Sequence, residues 1–165
     1  MKKLLSVSNI LAAASCLLAL VGLIVYIVNV NSAGYFQGAT IKFLIFYIIL
    51  VMVLDLLIVG ASFLKLDGIL AKVLDIVLMV VKVAVPLFLM IAGMTIVLAR
   101  AEGLAFIYGA NEDVILEVQT PENLASSSTA IANAVILILG SVVGIVGAFF
   151  LPKEREALPE QPVAE

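Results

Sequence analysis

Four long apolar runs separated by short polar stretches set the pattern of this chain, and a charged residue lies deep inside each of the middle two: Asp55 and Lys82. The runs extend from about 10 to 30, 41 to 64, 70 to 98 and 126 to 151, and each reaches the roughly 20 residues that a helix needs to cross hydrocarbon. The pattern predicts an all-α membrane protein with four transmembrane helices in an up-down antiparallel bundle. Residues 1–151 then form one transmembrane domain. Between the second and third runs, Lys65-Leu66-Asp67-Gly68 is a turn signal. Residues 99–125 form the longest loop, and its Val114–Val118 stretch suggests a short extended segment. Thr120-Pro121-Glu122 supplies a capping hydroxyl, a first-turn proline and a first-turn acid, so the last helix is predicted to begin near Pro121, outside the hydrocarbon.

Periodicity within the runs adds packing faces. In the first, Ala12, Ser15, Ala19 and Gly22 recur at three-and-four spacing, and in the last Gly140, Gly144 and Ala148 repeat every fourth residue. Helices in lipid gain stability by close approach across such small residues, so these two faces are expected to meet. The alternative is self-association or a partner helix. Pro86 lies inside the third run and removes the donor that would bond the carbonyl of Lys82, which predicts a kink there.

Composition agrees with the pattern: 64% of the 165 residues are hydrophobic, 13% are charged and mean hydropathy is +1.28. The chain has no histidine and one cysteine, Cys16, inside an apolar run. No disulfide within the chain, no histidine-bearing metal site and no catalytic residue or cofactor is therefore expected. The net charge of −3 and the lack of a basic stripe give no support for nucleic-acid binding. Ala14-Ser15-Cys16 loosely resembles a lipoprotein cleavage box, but the apolar run continues through Val28, so an uncleaved first span is expected.

Lysine and arginine near the span ends fix the expected orientation. With the amino terminus inside, Lys2, Lys3, Lys65, Lys72, Lys153 and Arg155 are cytoplasmic, Lys42 and Arg100 are outside, and Lys82 stays in the membrane. Both termini then lie in the cytoplasm of a multi-pass cell-membrane protein, with the acidic loop outside. The proline-bearing, mixed-charge stretch 152–165 is expected to be a disordered tail.

Asp55 lies 13 residues before Gly68 and Lys82 lies 14 after it, which at about 1.5 Å per residue predicts equal depth near the middle of the membrane. An unpaired charge there is costly, so an Asp55–Lys82 ion pair facing the bundle interior is the simplest expectation. Lys72 and Asp75 share the face of Lys82 and extend it as a polar stripe. The leading functional expectation is a non-enzymatic scaffold or accessory subunit of a membrane complex, in contact with the lipid bilayer and with a membrane-protein partner or further copies of itself. The alternative is a small transporter or channel component with a polar path along Asp55, Asp75 and Lys82.

Overall fold

A computed structural model describes residues 6–64 and 68–150. Lys2 and Lys3, the turn residues 65–67 and the 152–165 tail lie outside them. Among the described residues there are helices and no strands: α1 (Val7–Asn31), α2 (Leu44–Ala61), α3 (Gly68–Tyr108), the single turn α4 (Ile115–Val118) and α5 (Pro121–Phe149). The four long helices are apolar and long enough to cross a membrane. Local sequence starts two of them: Ser6 Oγ accepts from the Asn9 amide at 3.3 Å, and Thr120 Oγ1 accepts from that of Asn123 at 3.2 Å. Both satisfy amides that have no partner within the helix.

α1 packs against α2 and α5, and α3 packs against the same two, which closes the four into a ring. Neighbours run antiparallel. Ser62 Oγ at the end of α2 donates to Asn9 Oδ1 near the start of α1 at 2.9 Å, while the amide of Ile41 donates to Tyr26 Oη near the end of α1 at 2.6 Å. We call the end where α1 begins proximal and the other distal. The outer surface carries large apolar side chains such as Leu17, Phe46, Leu56 and Leu98, all exposed. Small residues supply much of the close approach inside, the arrangement that suits a lipid solvent.

The small residues of α5 divide between two neighbours. A Cβ built on Gly144 would lie 3.3 Å from Pro86 of α3, one on Gly147 the same distance from Leu11 of α1, and one on Gly140 between Leu89 and Leu18. The Gly140, Gly144 face thus meets α3 at least as closely as it meets α1. Gly22 of the α1 face receives Leu137 of α5, while Ala148 borders a shallow apolar groove beside Pro86 and Met90. α3 continues through Pro86, whose carbonyl accepts from Ser141 Oγ at 2.8 Å.

α3 departs most from the sequence expectation. It runs 41 residues, about 60 Å and twice a hydrocarbon core. At the distal end it continues to Tyr108 because residues 32–43 pack on its last turns, where Gly103 admits the rings of Tyr35 and Phe36. The loop before α5 is shorter in consequence. Within it, 115–118 is a helical turn and not extended, closed by the Gln119 amide on the Ile115 carbonyl at 2.8 Å.

At the proximal end α3 overhangs. Because Pro86 faces Gly144, six residues along each antiparallel helix place Phe150 about level with Val80. Leu11 lies against Gly147 and Ser62 bonds Asn9, so α1, α2 and α5 all end near that level. The first buried residue of α3 is Leu78. Roughly 18 Å of helix therefore extends past the bundle, with Ile69, Leu70, Val73 and Ile76 exposed.

Candidate functional site

The overhang relocates the two charges. Lys82 lies close to the proximal end and not at mid-depth, because counting from Gly68 treats α3 as though it began level with its neighbours. Its ammonium donates to the carbonyl of Phe150, the C-cap of α5, at 2.9 Å. That is the negative end of the α5 dipole, a favourable place for a cation.

Asp55 belongs to the inward stripe of α2 with Ile48, Val51 and Ile58, so the period that buries those side chains buries the carboxyl too, to 1% exposure. Across from it is Ser15, fully buried on the α1 stripe. Asp55 Oδ2 and Ser15 Oγ are both buried without a hydrogen-bond partner. Among the described residues no Asp55–Lys82 ion pair forms; the α5 carbonyl takes the lysine instead. The two side chains still line one narrow cleft, together with Ser8, Ala12, Val85 and the backbone-exposing Gly144 and Gly147. The space open to the centre of a water molecule is about 10 Å³, close to the minimum that admits one water.

Other polar residues lie apart from this cleft. Lys72 is exposed and Asp75 half-buried on the overhang, and neither lines the cleft, so the stripe does not join Asp55 into a continuous path. Cys16 Sγ makes a weak 4.0 Å contact to the Met52 carbonyl. Asn133 Oδ1 on α5 is buried without a partner, close to Gly22. No group of three or more His, Cys, Asp or Glu able to hold a metal occurs among the described residues.

The distal end holds a second polar cluster. Asn29 Nδ2 donates to the Ser126 carbonyl at 2.7 Å, and the Phe36 amide donates to Ser126 Oγ at 3.3 Å. Arg100, 4% exposed, donates to the Ala39 carbonyl at 2.6 Å and lies 4.5 Å above the Phe36 ring. The outside placing expected for Arg100 did not anticipate this burial. Its signal is present in the sequence: Asn29 continues the stripe of Gly22 and Tyr26, and Arg100 the stripe of Gly93 and Ile96.

Comparison with protein-family models, curated proteins and solved structures finds no match.

Proposed function

We propose that this protein is a non-enzymatic scaffold or accessory subunit of a membrane complex, held in the cell membrane with both termini in the cytoplasm and the acidic 109–120 loop outside. The carrying observation is the proximal overhang of α3. Its Ile69, Leu70, Val73 and Ile76 side chains are between 52% and 81% exposed beyond the level at which the other three helices end. About 30 Å of bundle already matches the hydrocarbon core, so this apolar face suits an apolar helix of another membrane protein. The interior supports the same reading, since Ile48, Val51, Leu89 and Leu137 are fully buried between the Asp55 cleft and the distal end. A solute path along Asp55, Asp75 and Lys82 has no comparable support, because Asp75 stands outside the cleft.

Photo-crosslinking from Ile69 or Val73 in native membranes tests the proposal. A discrete product with a second protein, or with another copy of this chain, is expected, together with liposomes no leakier than empty ones. A solute flux abolished by Asp55→Asn, with no crosslinked product, would sink it.

A further inference from the structure

We infer that Asp55, Ser15 and one water form a proton-binding site that exchanges with solution at the proximal end only, independently of any partner on the α3 overhang. The first ground is the pair of orphaned oxygens, Asp55 Oδ2 and Ser15 Oγ, both buried. An ionised carboxylate with only the Ser15 hydroxyl beside it is strongly disfavoured in an apolar interior, and holding a proton removes that charge. The second ground is the cleft beside Asp55, with room for about one water. A water there is able to meet the carboxyl and pass a proton along the cleft.

The donor set selects a proton over a metal cation. Facing the cleft, α2 contributes the Asp55 carboxyl, α1 the Ser8 hydroxyl, and α5 only Gly144, Gly147 and Ala148. Ser15 and, beside it, the Cys16 thiol complete the polar groups that α1 brings near Asp55. One carboxylate and two hydroxyls fall well short of the six to eight oxygens of a calcium site. Lys82 of α3 lines the same cleft but adds no oxygen donor, its ammonium being held by the Phe150 carbonyl. A proton needs only one carboxylate oxygen. Access is one-sided, since Ser8 at the first turn of α1 is half-buried at the mouth, whereas Ile48, Val51, Leu89 and Leu137 are fully buried toward the distal end.

The full-length protein in liposomes, treated with the apolar reagent dicyclohexylcarbodiimide, provides the test. A protonated carboxyl adds across the carbodiimide: its oxygen bonds the central carbon, its proton passes to nitrogen, and the adduct rearranges to a stable N-acylurea without a leaving group. Peptide mass spectrometry should find one reagent on Asp55 and none on Asp75. Above the titration midpoint the rate should fall about tenfold per pH unit, as for a single proton. In vesicles of one orientation it should follow the pH on the proximal side alone. Asp55→Asn should remove the adduct, and Ser15→Ala should keep it with a shifted midpoint. Three results would each overturn the inference: an unmodified Asp55 in the wild type, a rate indifferent to pH, or protection by sodium at constant pH, which would make the site one for a metal cation.

Discussion

The two ends of the bundle differ in how fully they satisfy their buried polar groups. At the distal end, Asn29, Ser126, Arg100 and Tyr26 each bond a backbone group or a neighbouring hydroxyl, and residues 32–43 are strapped across α3 and α5. At the proximal end, Asn9 and Lys82 are bonded, but Asp55 Oδ2 and Ser15 Oγ above them have no partner and one helix runs on beyond the rest. Satisfied buried polar groups rigidify a fold, whereas unsatisfied ones reduce its stability and persist where chemistry needs them. The distal end is therefore the structural fastening, and the proximal end the place to look for function.

The largest expected effect that would sharpen this contrast is at Gly34. Its φ of +132° disfavours any side chain, and a Cβ would lie 2.6 Å from both the Glu122 carbonyl oxygen and Ser126 Cβ. Backbone strain and overpacking together should make Gly34→Ala destabilising by roughly 2–6 kcal/mol, read as a lower Tm in a fixed detergent. Arg100→Gln comes next. Loss of a charged hydrogen bond to Ala39 and of the cation–π contact with Phe36 should lower stability by about 2–3 kcal/mol. An unchanged Tm for both variants would break the assignment of the distal end as the fastening.

Lys82→Met should have a smaller effect, about 1 kcal/mol. The lost bond to the Phe150 carbonyl is partly offset by removal of a desolvated charge. A loss as large as that of Arg100→Gln would mean that Lys82 also fastens the bundle.

Much of this was legible in the residues. The helices, their inward stripes and the isolation of Asp55 in an apolar run all follow from period and composition, because lipid makes each helix satisfy its own backbone. The relative depth of the charges was not. Apolar residues along α3 from Ile69 to Leu98 read as one continuous stripe, and nothing local tells which turns face neighbouring helices and which overhang them. The competition for Lys82 was hidden for the same reason. It depends on where α5 ends, and the carbonyl of Phe150 carries no mark in the sequence. The distal cluster was partly legible, since Asn29 and Arg100 fall in phase with buried positions.

The smallest effects test the proximal end most directly. Asp55→Asn removes a buried acid whose Oδ2 has no partner and places an uncharged amide of similar size there. Ser15→Ala removes a hydroxyl that lies beside the Asp55 carboxyl without a well-formed hydrogen bond. Deleting a partnered buried polar group typically costs about 1–3 kcal/mol, whereas replacing an unpartnered one is near neutral or stabilising. Ser15→Ala should therefore change stability by less than about 0.5 kcal/mol at neutral pH, and Asp55→Asn should leave it unchanged or raise it by about 1 kcal/mol. Both are measured by the same thermal unfolding as Arg100→Gln. The sign for Asp55→Asn matters more than its size: a Tm loss rivalling Arg100→Gln would show the carboxyl to be held by bonds as firm as those of the distal end, and the contrast between the two ends would fail.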